Sequence, residues 1–244
     1  MVTIEDSLFK PLPTRRAFQE IADQISNLIY ANKLKPGDKL PTERELAMQF
    51  GAGRLSVREA FRVLEQAGLI FIKQGVDGGA FVKEVDASVV SDSLTNLIRR
   101  ANISLDHYIA VRIGLEELII KSAINNITKE VLRNLKKSIH ETAQIIAEYE
   151  SGTQTLDTNS LVMLGAEFHL ELARATGNPL FEIMQESLVK AMRIFLKNRQ
   201  YDSGFQHRHL KLHKSIYEAL EKKDLQLALQ YMNEHSQRML NYLS

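Results

Sequence analysis

Residues 51–69 read GAGRLSVREAFRVLEQAGL. Gly51-Ala52-Gly53 is a small-residue turn, and after it Val57, Phe61 and Leu64 recur at spacings of four and three. That spacing gathers apolar side chains on one helix face. Arg54, Arg58 and Arg62 are each four residues apart and form one basic row on the same helix. Arg54 and Arg58 fall in the first turns, where free backbone N–H groups and the helix dipole favour phosphate. A short helix, a tight glycine turn and a basic second helix is the order of elements in a helix-turn-helix. An ordinary amphipathic helix with solvated arginines shares this local pattern, so the flanks decide.

Upstream, Lys35-Pro36-Gly37-Asp38 is turn chemistry. Thr42-Glu43-Arg44-Glu45 is a capping box, T-x-x-E, that starts a short helix with Leu46, Ala47 and Phe50 inward. Before it, Phe18, Ile21, Ile25, Leu28 and Ile29 predict a helix over 16–31. Downstream the period changes. Residues 70–74 (IFIKQ) and 80–83 (AFVK) read as two short strands around the loop Gly75-Val76-Asp77-Gly78-Gly79. Three helices and a glycine-tipped hairpin make a winged helix-turn-helix, whose wing backbone can approach a sugar-phosphate wall closely.

Bulk composition neither supports nor opposes that reading. The 244 residues carry a net charge of +1, with 44% hydrophobic and 25% charged residues, as in ordinary globular proteins. Residues 1–83 hold 12 basic and 10 acidic side chains, and the remainder 19 and 20. Any case for nucleic acid rests on local placement. The chain has no cysteine, hence neither disulfide framework nor thiolate chemistry. No apolar run approaches the roughly 20 residues of a membrane helix, and the N-terminus lacks the apolar core of a signal peptide. The expectation is a cytoplasmic protein with no membrane partner.

Beyond the hairpin no strand signal competes with helices. Val131, Leu135, Ile139, Thr142, Ile146 and Tyr149 hold one long face, and apolar faces recur from residue 89 to 240. The expected fold class is mainly α. An N-terminal arm (1–15), a winged helix-turn-helix domain (16–83) and a linker (84–92) precede an all-α bundle of about seven helices (93–244). Three of the seven histidines, His169, His213 and His235, sit among apolar neighbours at helical spacing. Imidazoles on the inward faces of separate helices can converge on one metal; taken singly, each reads first as a core histidine satisfied by hydrogen bonds.

The segment LKPGDKLPTERELAMQFGAGRLSVREAFRVLEQAGLI (34–70) resembles the DNA-binding domain of GntR-family transcription regulators. The resemblance implies DNA contacts at Arg44, Arg54, Ser56 and Arg58, with Gln74 and Gly75 on the wing. Family members usually carry Ser or Thr before the first of these recognition-helix arginines, where this chain has Gly53, so a hydroxyl able to meet phosphate is missing. EFHLELARATGNPLF (167–181), the His213 segment with Ile216, Ala219, Leu220 and Asp224, and Met232 with His235 resemble the FCD effector domain of the FadR-type GntR subgroup. Tyr108 to Arg112, then Leu115-Glu116, resembles that domain's first R-x-x-L-E helix.

Those resemblances imply a homodimer on a palindromic double-stranded DNA operator, most simply a repressor, and a small organic acid as effector. They also imply a metal held by His169, His213 and His235 with an aspartate one helical turn before the first. Here that position is Gly165. Glu167 is no substitute, because two residues along a helix turn the side chain about 200°. The expected cofactor is therefore a divalent ion, Zn²⁺ or Ni²⁺, on three nitrogens, or none. Arg112 is either a clamp for the effector carboxylate or an ion-pair partner of Glu116, four residues on. His209 shares a helix face with His213 and reads as polar and exposed. Two alternatives stand beside this one. The first is a metal-free regulator sensing an acyl-coenzyme A, as in another branch of the family. The second is a three-histidine metalloenzyme, which needs a general base that the sequence does not evidently supply; no enzymatic activity is expected.

Overall fold

The computed structural model describes residues 17–84, 86–153, 165–196 and 202–243. The arm expected over 1–15 lies outside the described residues. The chain divides into two compact units, the first ending at Val89 and the second beginning at Val90. That boundary falls within residues 84–92, which are helical from Ser88 onward. The backbone N–H of Ser88 is bonded to Asp86 Oδ1 at 2.9 Å, satisfying one of the donors a helix start leaves free.

The first unit holds α1 (Ala17–Tyr30), α2 (Glu43–Phe50), α3 (Arg54–Gln66), β1 (Ile70–Lys73) and β2 (Gly79–Val82). The capping box opens α2: Thr42 Oγ1 accepts from the Glu45 N–H, and the Thr42 N–H donates to Glu45 Oε2 at 2.7 Å. Gly51 ends α2 in the left-handed region at φ 59°, where a side chain costs roughly 1–2 kcal/mol. That backbone reversal sends the chain from α2 into α3. Val57, Ala60, Phe61 and Leu64 of α3 are buried against Ile21, Ala22 and Ile25 of α1, Leu46 of α2, and Ile70 and Val82 of the hairpin. Each fully buried aliphatic side chain contributes roughly 1.5–3 kcal/mol, so α3 is fixed by the face opposite its arginines. β1 and β2 pair antiparallel with Ile70 opposite Val82 and Lys73 opposite Gly79. On their outer side the rings of Phe71 and Phe81 stack at 5.5 Å.

The second unit contains α4 (Ser88–Arg100, from Val90), α5 (Leu105–Ala123), α6 (Lys129–Glu150), α7 (Ala166–Ala175), α8 (Pro179–Leu196), α9 (Ser203–Glu221) and α10 (Leu225–Leu243), with a 3-10 turn at Ile124–Asn126. Seven α-helices among the described residues match the number expected from periodicity. The start of α7, expected near Leu161, falls partly outside the described residues. Two apolar clusters fill the bundle. One joins α5, α6, α7, α9 and α10 around Ile120, Leu135, Phe168 and Ile216; the other joins α4, α5, α8, α9 and α10 around Ile109, Ala191 and Met239. No described helix is long and apolar enough to cross a membrane.

Gly53 caps α3 from extended backbone (φ −71°, ψ 145°) with no side-chain hydrogen bond, and a Cβ there would meet nothing within 4 Å. A Ser fits this position, restores the cap and lowers the entropy of the unfolded chain. Gly53→Ser should therefore raise the stability of the first unit by about 0.5–1 kcal/mol in urea unfolding. An unchanged or lowered midpoint would show that α3 does not start at this cap.

Candidate functional site

In the first unit, Arg44, Arg54, Arg58, Gln74 and Gly75 are exposed and Ser56 is half-buried. Arg58 is engaged: its Nε and Nη2 donate to Oε1 and Oε2 of Glu43 at 3.0 and 2.9 Å, a forked ion pair from α3 to α2. The Arg58 hydrogen bonds hold the Glu43 carboxyl below its ordinary range, and Arg54 adds a weaker attraction. Two arginines of α3 are thus gathered around one carboxylate beside Arg44. Arg62, the third of the row, pairs instead with Glu59 at 2.7 Å.

The second unit's polar centre is assembled by α5, α7, α8, α9 and α10. Glu116 on α5 is 1% exposed. Its Oε1 accepts from Arg112 Nε at 2.8 Å and from Gln185 Nε2 at 3.4 Å, and its Oε2 accepts from Ser236 Oγ at 2.8 Å. His169 Nδ1 lies 2.9 Å from Oε1, at ion-pair distance but too bent for a linear hydrogen bond. Burial alone would raise the Glu116 pKa; the adjacent Arg112 charge, then His169, outweigh it and hold the carboxylate ionised. The alternative of an Arg112–Glu116 pair is therefore realised, and Arg112 Nη2 also reaches His169 Nε2 at 3.3 Å.

His169 of α7, His213 of α9 and His235 of α10 come together as the spacing suggested. Each offers one nitrogen, and these atoms lie within 4.8 Å of one another. His169 and His213 touch through their Nε2 atoms at 3.2 Å. All three rings are buried and held below the ordinary histidine pKa, chiefly by desolvation, so they are neutral with lone pairs available at pH 7. Neutral buried imidazoles are the donor type that Zn²⁺, Ni²⁺ and Cu²⁺ prefer, and the residues fit a divalent ion of that kind.

His209 departs from its sequence reading. It is 8% exposed rather than on the surface, and its Nε2 lies 2.7 Å from His235 Nε2. Its pKa is pushed down to about 3, mainly by desolvation and next by His169 and Arg112. The i, i+4 spacing in HLKLH (209–213) was the available signal: if His213 faces inward, so does His209. The contributions of Gln185 and Ser236 carried no sequence signal. Glu167 points away from the cluster, exposed and paired with Arg174.

Gly165 has its own consequence. A Cβ built there would lie 2.7 Å from His213 Cε1, so the imidazole fills the space a side chain would need. Beside it a cavity of about 20 Å³ is lined by Arg112, Gly165, His169 and His209, with Val189, Met192 and Met239 on its apolar side. That space holds about one water molecule.

A winged helix-turn-helix joined to an all-α unit with a sealed histidine cluster defines a class: a sensor domain appended to a DNA-binding head. Comparison with known families agrees. Residues 17–82 match the family described as bacterial regulatory proteins, gntR family, and residues 107–238 match the FCD domain. The chain belongs to the GntR family of transcription regulators and carries an FCD domain. It is 28% identical over 184 residues to the HTH-type transcriptional repressor NanR of Salmonella newport, covering 74% of this chain and 66% of the relative. The chain thus spans about two thirds of the length of that relative. The fold is shared with Streptococcus agalactiae GntR (TM-score 0.65, 22% identity, 92% of this chain and 99% of that one). It is also shared with E. coli McbR/YncC (0.50, 19%, 94% and 98%).

The packing at Gly165 is directly testable. Gly165→Ala forces His213 or the start of α7 to move inside a close-packed core, a change that typically costs about 1–3 kcal/mol. The urea midpoint of the second unit should fall accordingly. A midpoint equal to that of the parent would mean that the His213 ring is not lodged against Gly165.

Proposed function

We propose that this chain is a ligand-responsive transcription regulator. As a homodimer it would bind a palindromic operator in double-stranded DNA and release it when its helical domain takes up a small organic acid. Repression is the proposed sign, since the Salmonella relatives are named repressors; the proposed place of action is the cytoplasm. The observation that carries the DNA half is the division of α3. Val57, Phe61 and Leu64 are consumed by the core, while Arg54 and Arg58 face solvent ahead of a glycine-tipped hairpin. In the major groove Arg54 and Arg58 would read guanines or fix phosphates, with Ser56 beside them. Arg44 and the wing residues Gln74 and Gly75 would hold register on the backbone.

The sensing half rests on the polar centre. His169, His213 and His235 would hold a divalent ion, Zn²⁺ or Ni²⁺, and the ion when bound supplies a Lewis-acid site for a carboxylate. Arg112, oriented by Glu116, adds a fixed positive charge at the edge of the same small cavity, where an acid's second oxygen would be recognised. The Glu116 carboxylate is an unsuitable general base for a metalloenzyme. Both of its oxygens are taken by donors and its pKa is depressed, so it is a weak proton acceptor. The family's regulators and this saturation support a non-enzymatic role.

The test is a titration of the chain's own promoter DNA at fixed salt, comparing parent and Arg58→Ala. Loss of one bidentate base contact should weaken binding roughly ten- to a hundredfold. Unchanged affinity would contradict the proposed orientation of α3, and failure of the parent to bind its promoter would contradict the reading as a whole.

A further inference from the structure

A fourth buried imidazole, His209, flanks the three whose nitrogens lie within 4.8 Å of one another, on the side of His213 and His235. His209 and His213 lie one turn apart on α9, the i, i+4 spacing by which a helix presents two histidines to one ion. The His209 ring is 3.9 Å from His235 and 5.0 Å from His213, centroid to centroid. It is also stacked on Phe205 at 5.2 Å, which restrains the ring plane. Nε2 of His209 meets Nε2 of His235 at 2.7 Å, while Nδ1 of each ring is buried with no partner. Two neutral imidazoles meeting in this way force one to donate, so the accepting ring must carry its proton on Nδ1, where nothing receives it. A buried donor in that state is costly. Among the described residues no carboxylate other than the saturated Glu116 meets these rings, and the chain has no thiol.

We propose that His209 is a fourth nitrogen ligand, so that this chain holds its ion in an all-imidazole site with two ligands from α9. The inference rests on the reading that the histidine cluster takes a divalent ion. The structural correlate is at Gly165. That position contributes no side chain, and the His213 ring occupies the space where one would begin. The coordination that α7 does not supply from position 165 is supplied from α9 instead. Such a site selects Cu²⁺, Ni²⁺ and Zn²⁺ over the oxygen-seeking Mg²⁺ and Mn²⁺, and it leaves Arg112 and the adjoining cavity to the organic acid.

Electron paramagnetic resonance of the full chain loaded with one equivalent of Cu²⁺ counts the nitrogens. The expected spectrum shows hyperfine splitting from four nitrogens in the parent and three in His209→Gln. Competition against a chelator should show Zn²⁺ affinity lower by at least about a hundredfold in His209→Gln, at or beyond the 10–100-fold of outer-shell changes, whereas His140→Gln leaves it unchanged. His209→Asp should recover part of the affinity by returning a ligand atom. If His209→Gln folds poorly, the nitrogen count in the parent alone decides. Three nitrogens there, or Zn²⁺ affinity untouched by His209→Gln, overturns the fourth ligand while leaving the three-histidine reading in place. A parent chain that binds neither ion overturns both.

Discussion

A carboxylate sealed from water stays ionised only where donors replace its hydration shell, and Glu116 sets that requirement for the helical unit. Arg112 comes from the preceding turn of α5, Gln185 from α8 and Ser236 from α10, and His169 of α7 lies at ion-pair distance. Four helices are thereby tied to one pair of oxygens. Removing any single donor leaves a buried charge short of a partner, which is far more costly than the bond's net worth. The attraction within the apolar clusters is non-directional. The hydrogen bonds of the Glu116 network are directional, and they fix where His169 and Arg112 point.

The consequence is a division of labour within a few ångströms. Glu116 holds Arg112 charged and presents its guanidinium at the cavity. The surrounding burial keeps His169, His209, His213 and His235 neutral. One small volume therefore offers both a fixed cation and a set of lone pairs, the two elements needed to recognise a compact anion directly or through a metal. In the head, by contrast, the governing constraint is backbone. The left-handed Gly51 and the capping box at Thr42 set the turn between α2 and α3, and the apolar face of α3 then leaves its arginines no option but solvent.

The head was legible almost element by element, because its signals are local. A capping box, a glycine turn and a change of period at Ile70 each act within a few residues. The bundle's helices were legible for the same reason. What the sequence withheld was convergence. Arg112 and Glu116 were readable as an i, i+4 pair, and three histidines as candidates for one site. That Arg112 and His169 meet at one oxygen of Glu116 depends on how the helices pack. His209 was misjudged because a histidine flanked by Arg208 and Leu210 reads as either face; its i, i+4 relation to an inward His213 was the deciding fact. Gly165 was visible as a missing carboxylate, but only the packed structure places the His213 ring in the space it leaves.

In the proposed regulator the polar centre and the DNA-binding head are coupled, so that occupancy of one changes the affinity of the other. Fluorescence anisotropy of a labelled promoter duplex measures this most directly. The titration is repeated with Zn²⁺ present or chelated, and with small di- and tricarboxylic acids added. Allosteric coupling of ordinary size predicts that one of those acids shifts the Kd for DNA by roughly 5–150-fold, and that the shift vanishes on chelation or in Arg112→Ala. A Kd for DNA that stays constant across metal, chelator and every acid would rule out that coupling and leave the helical unit with a structural role alone.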